Sequence, residues 1–258
     1  MRYAPVFLVL AACAGEGEWS LNTWGEDYIE EEIPSEEFAD SCSATFDEFL
    51  VGMTGLGLID GNGEFAATID GALVFDVSQK GPHLVGTSPA PVGLYPTVEG
   101  RIAPSSDLAA GNASAEQVAR LVDNGWSVAA RGAITCGSDT VTFDWGFATD
   151  TTYTCDPEGL EVARGGAASS ELTIHGDHFF YDGLEDPDAG VRGQALVDAD
   201  ANADGVLTLE ELEGVDIAPL GYTVGQFGEV RDLRQFVTHL TSTLGHIDGE
   251  GHCAVTRN

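Results

Sequence analysis

Residues 200–211 set Asp200, Asn202 and Asp204 at alternate positions, then Gly205, Val206, Thr208 and finally Glu211. Carboxylate and amide oxygens at positions one, three and five, a backbone carbonyl at seven and a hydroxyl at nine begin an oxygen shell. A bidentate carboxylate at twelve closes it. Calcium is a hard cation that takes six to eight such oxygens and tolerates flexible geometry. Gly205 falls where the loop must bend sharply, and Thr208 with Glu211 three residues on is also a helix-capping pattern. The competing reading is a chance acidic turn, which would leave some diagnostic positions unfilled.

This stretch resembles the EF-hand loop, and the resemblance covers about residues 191–214. It implies calcium on Asp200, Asn202, Asp204, Val206, Thr208 and Glu211. One departure matters. EF-hands pair, and the only similar start, Asp60-Gly61-Asn62-Gly63-Glu64, lacks the acid that would close a second loop. A lone loop implies a structural ion rather than a sensor.

A second chemistry is offered by histidine. Five of the six histidines, His175, His178, His239, His246 and His252, fall in the last third of the chain. His175 and His178 end a candidate strand; His246 and His252 follow the last candidate helix. If these segments meet, His175, His178, His246 and His252 could hold copper, zinc or iron, with Asp177 or Asp248 orienting the rings. The alternative is that they hydrogen-bond loop backbone or, like His239 on its helix, face solvent. No HExxH or CxxC spacing supports them. Neither does the chain contain a GxSxG elbow, a P-loop or a GxGxxG turn, and paired carboxylates carry no information in so acidic a sequence.

Forty-three acids against 10 Lys and Arg give a net charge of -33 over 258 residues, with a pI near 4.1. That excludes sequence-independent nucleic-acid binding and docking through a polybasic patch. It favours metal cations and cationic partners; a salt-adapted surface, with Lys80 the only lysine, is the plainer account.

At the N-terminus Arg2 precedes a short apolar run, Val6 to Leu10, too short to span a bilayer. Leu10-Ala11-Ala12-Cys13 resembles the lipobox of bacterial lipoproteins. The resemblance implies cleavage before Cys13, lipid on its sulfur, and a membrane-anchored protein of the cell envelope, the outer membrane being favoured by Ala14. An ordinary export signal is the alternative.

Four cysteines then remain, Cys42, Cys136, Cys155 and Cys253. In an exported chain these read as two disulfides, with three connectivities open. Cys136 and Cys155 flank one candidate strand, which favours joining them and leaves Cys42 to Cys253. Cys253 beside His252 as a thiolate ligand is the competing role.

The elements that must position these groups fall into four stretches. Residues 1–12 read as the signal peptide. Residues 13–43 hold ten acids and no basic residue, and read as a solvated acidic tether. Residues 44–183 carry short strands at 45–51, 72–78, 94–102, 126–135, 140–147 and 171–180, with one capped helix after Ser114. Residues 184–258 read as helical, with segments at 191–199, 208–213 and 232–244. The expected fold is mainly β, an antiparallel β-sandwich with a small C-terminal α-helical subdomain carrying the calcium loop. The expected function is a lipid-anchored, calcium-binding envelope protein that also holds a transition metal. An envelope metalloenzyme using the histidines, or an adhesion module rigidified by calcium, would use the same residues differently.

Overall fold

A computed structural model describes residues 15–184, 186–249 and 251–258. Cys13, and with it the lipobox, lies outside the described residues. The chain opens with β1 (Glu16–Trp24), α1 (Glu26–Glu30), β2 (Cys42–Ile59), β3 (Phe65–Ile69), β4 (Leu73–Asp76) and β5 (His83–Pro91). It continues through β6 (Gly93–Leu94), β7 (Thr97–Ile102), β8 (Ala109–Ala110), α2 (Ala115–Asn124), β9 (Val128–Cys136) and β10 (Asp139–Phe147). Next come β11 (Thr151–Cys155), β12 (Glu161–Val162), β13 (Ala167–Ile174) and a 3-10 turn, Asp177–Phe180. The last part holds α3 (Gln194–Val197), β14 (Val206–Leu207), α4 (Leu209–Leu212), α5 (Leu233–Leu240), β15 (Gly245–Ile247) and β16 (Cys253–Arg257).

The molecule is mainly β. One sheet has the order β15-β13-β1-β5; a larger one runs β14-β10-β9-β2-β7-β11-β16, with β3, β4 and β8 attached beside β2. Both are mixed rather than antiparallel, because β1–β13, β10–β14 and β4–β8 run parallel. Trp19 and Leu21 of β1, Phe49 and Met53 of β2, Trp145 of β10 and Leu172 of β13 share one apolar core. The expected capping box is present: Ser114 accepts from Gln117 N, and the Gln117 side chain accepts from Ser114 N. It starts α2, whose Leu121 covers the opposite face of the large sheet in a small satellite cluster with Leu50, Val74 and Leu108.

The acidic tether is corrected. Residues 16–24 form a strand inside the small sheet, flanked by β13 and β5. Its acids point outward and its apolar residues inward: Glu16 and Glu18 are exposed while Trp19 and Leu21 are fully buried. Alternation of period two outweighed the density of charge. The separate helical subdomain is not seen either. Its helices are short, and Leu196, Leu212, Leu233, Phe236 and Val237 belong to the same core as the strands. Asp232 does cap α5, accepting from Gln235 N at 2.8 Å. After α5 the chain returns to strand: β15 joins the small sheet and β16 the large one.

The disulfide pairing is corrected as well. Cys42 bonds Cys136, and Cys155 bonds Cys253. Each pair lies directly opposite in antiparallel register, β2 against β9 and β11 against β16. Cys136 and Cys155 are near in sequence but sit on β9 and β11, with β2 and β7 between them. At about 4.8 Å per strand that is roughly 14 Å, beyond the reach of a disulfide.

Candidate metal centre

Four segments converge at one end of the small sheet. β13 runs out at Ile174 and leads directly into His175, whose amide donates to Leu244 O at 2.9 Å. The 3-10 turn then places Asp177 and His178 beneath α5, which packs on it. The turn after α5 brings Thr243, and β15 sets His246 opposite Thr173 on the edge of β13. β1, parallel to β13, ends at the same level and delivers Glu26.

The rings of His175 and His246 lie 4.2 Å apart, those of His178 and His246 5.1 Å, and those of His175 and His178 5.4 Å. His252 stands at the solvent edge, 5.9 Å from His246. Thus three of the four histidines anticipated as ligands form a compact group, and the fourth borders it. Asp177 also belongs: ligand-capable atoms of His175, Asp177 and His178 lie within 4.8 Å of one another, all three residues being buried. His239 is elsewhere, stacked 4.0 Å from Phe227.

The hydrogen bonds around the group decide which ring nitrogens keep a lone pair. The Thr243 hydroxyl donates to Leu240 O at 2.8 Å, so toward His178 Nδ1, 2.9 Å away, it accepts. That places the proton of His178 on Nδ1 and leaves the lone pair of Nε2 available. Thr173 repeats the device. Its hydroxyl donates to Gly249 O, and His175 Nε2 faces that hydroxyl at 3.5 Å, Gly249 O at 3.3 Å and Glu26 Oε1 at 3.4 Å. Three acceptors around Nε2 hold its proton and leave Nδ1 free. His246 Nδ1 is buried with no hydrogen-bond partner among the described residues. Asp177 accepts from Tyr181 Oη at 3.0 Å.

Burial, reinforced by the neighbouring histidines, pushes the His178 pKa well below its ordinary value. The same causes lower His246 to about 4. Near neutral pH these imidazoles carry no charge, the form in which they bind a metal.

Glu26 was missed by sequence reasoning, since one carboxylate among so many has no distinguishing pattern. Its backbone does: φ is 51°, a left-handed conformation that costs a residue with a Cβ about 1 kcal/mol or more.

The anticipated calcium loop is a separate place. Asn202 Oδ1 accepts from Asp204 N, and Asp204 Oδ1 from Val206 N, winding the loop through 2.8 and 2.9 Å bonds. Asp200 Oδ2 accepts from Gly205 N at 2.9 Å, and Glu211 Oε2 from Thr208 N at 3.0 Å. The second oxygens, Asp200 Oδ1 and Glu211 Oε1, are buried without a hydrogen-bond partner among the described residues. A buried carboxylate oxygen so placed is costly unless a cation meets it. Where an EF-hand would pair with a second loop, this one pairs with the sheet. Val206 and Leu207 form β14 against β10, and Trp145 Nε1 donates to Leu207 O at 3.0 Å.

A cavity of about 700 Å³ beside α5 is lined by Asp150, Asp232, Arg234, His239 and Arg257 among others, and contains none of these ligand candidates.

No protein-family model matches the chain, and no curated protein matches it. Among solved structures, "MbnP from Methylosinus trichosporium" is similar with a TM-score of 0.42 and 10% identity, over 93% of this chain and 98% of that one.

Proposed function

We propose that this protein is a lipid-anchored envelope protein that holds a transition metal on His175, His178 and His246, with His252 at the mouth of the site. The observation that carries the reading is the triad of close rings, His175 and His178 buried and His246 half-buried, with acceptors holding the proton of the first two and His246 Nδ1 without a partner among the described residues. Imidazole suits copper or zinc, and bound metal would offset the cost of burying these nitrogens. His252, exposed beside the triad, is placed to meet an incoming ion. The role is holding and passing on a metal rather than catalysis. Calcium in the loop 200–211 is the structural ion of the same protein, bound by Asp200, Asn202, Asp204, Val206, Thr208 and Glu211. Two buried carboxylate oxygens support it. A sandwich-like arrangement of the two sheets would support both sites.

Elemental analysis of protein purified from its own envelope, followed by titration of the stripped protein with copper and zinc, tests the reading. One equivalent of copper or zinc is expected in wild type, and His246→Ala should lose it while keeping calcium. Equal copper and zinc binding by wild type and His246→Ala would overturn the assignment.

A further inference from the structure

The two ends of the small sheet differ in chemistry. β1 rises from Glu16 to Trp24, roughly 26 Å at about 3.3 Å per residue, and leads at its far end to the histidines. Its near end is bordered by residues 91–94 and 160–166. There Val92 N donates to Gly15 O at 3.0 Å, Gly165 N donates to Glu16 O at 2.8 Å, and Leu94 pairs with Glu161. Leu94 is 69% exposed, the most of any large apolar side chain among the described residues, and Val92 is 43% exposed. The guanidinium of Arg164 lies over Gly15, where an added Cβ would come within 2.6 Å of Arg164 Cζ.

Cys13 precedes Gly15 by two residues. Two residues of fully extended chain reach about 7 Å. On that reach, a lipid carried by Cys13 would start within about 7 Å of Gly15, beside Val92 and Leu94.

We propose that this end of the small sheet, Val92 and Leu94 beside Gly15, rests on the bilayer surface, so that the histidine site faces away from the membrane. The proposal rests on the lipid attachment at Cys13 put forward above. Leu94 and Val92 enter the interfacial layer, where exposed apolar side chains leave water. Glu16, Glu18 and Glu161, all exposed at this end, keep the contact shallow, since carboxylates are repelled by anionic headgroups. The acidic remainder of the chain is turned away for the same reason.

The test uses the full chain as made in its envelope, reconstituted in vesicles of phosphatidylcholine and phosphatidylglycerol, with Cys13→Ser as the soluble reference. Mass analysis of the N-terminal peptide reads acylation; hydrogen–deuterium exchange reads the surface. Expected are an acylated Cys13 and loss of deuterium uptake at 91–95 and 160–166 on vesicles. Residues 83–85, which carry the 60% exposed Leu84 toward the other end of β1, should not change. The double variant Val92→Glu, Leu94→Glu should stay acylated and vesicle-bound yet lose that protection. An acylated, vesicle-bound wild type with no slowing at 91–95 and 160–166, or with equal slowing at 83–85, overturns the orientation and leaves the lipoprotein reading standing. An unmodified Cys13 overturns both.

Discussion

The loop at 200–211 and the histidine group are built in opposite ways. The loop draws its oxygens from twelve consecutive residues and winds them by its own short bonds, such as Asp204 N to Asn202 Oδ1. The histidine group takes His175 and His178 from one segment, His246 from another and Glu26 from the start of the chain. Only the sheet register brings these together. The first draws its candidate ligands from one continuous segment docked on β10; the second exists only when β1, β13 and β15 are in place. A perturbation of long-range structure should therefore damage the histidine group and spare the loop.

The strongest way to break this comparison is to cut the Cys155–Cys253 disulfide, which spans 98 residues and fixes the strand that follows His252. Replacing both cysteines by serine should cost up to about 4–5 kcal/mol on the chain-entropy account. Copper or zinc affinity should fall while calcium affinity holds. Denaturant unfolding with parallel metal titrations reads both, and an equal loss of calcium binding would show that the sites are not separately built.

Acid provides a second lever. Folding depresses the His246 pKa from 6.5 to about 4, so the unfolded chain binds more protons in that window. The stability this neutral histidine permits is present above pH 6.5 and is lost as pH falls toward 4, by about 3 kcal/mol at most. His178 adds in the same direction. Melting curves of metal-free protein should show this loss, and His246→Ala should flatten it. A wild-type profile equally steep in that variant would remove the histidine from the account.

Calcium should act on the other region alone. At free calcium about 100 times the dissociation constant, linkage gives about 2.7 kcal/mol of stabilisation for a site formed only in the folded state. Glu211→Gln and Asp200→Ala should each lose most of that gain, read as the rise in melting temperature on adding calcium to chelated protein. The copper or zinc stoichiometry of both variants should stay at the wild-type value. No calorimetric calcium binding by wild type would remove the structural ion.

The same contrast explains what could be read from the sequence. The turn at 200–211 was legible in its local bonds, because the spacing of Asp200, Asn202 and Asp204 sets which amides their oxygens meet. So was the capping box at Ser114 and Gln117, and so was the apolar stripe of α5. The four histidines were legible as a list, but their partners Thr173, Thr243 and Glu26 were not, because register and tautomer belong to the folded chain. Charge misled where it was densest. Trp19 and Leu21 alternate clearly, yet ten acids in residues 14–43 hid a central strand. Cysteine pairing followed strand neighbours rather than sequence neighbours, as Cys42 opposite Cys136 illustrates.

The smallest expected effect lies at a contact that links the two regions. Trp145 donates to Leu207 O in the loop at 200–211, while its ring stands 6.3 Å from Phe179 in the turn that carries His178. Trp145→Phe keeps an aromatic ring in the core but removes the donor, leaving the Leu207 carbonyl buried without it. Loss of that bond should cost about 1–2 kcal/mol, with or without calcium, because it pins the loop to β10 rather than closing the ion's shell. Copper or zinc affinity should be unchanged, since Thr243 rather than Trp145 orients His178. A fall in that affinity matching the fall in stability would mean that the aromatic contact couples the sites, and the loop would then set the histidine geometry as well as its own.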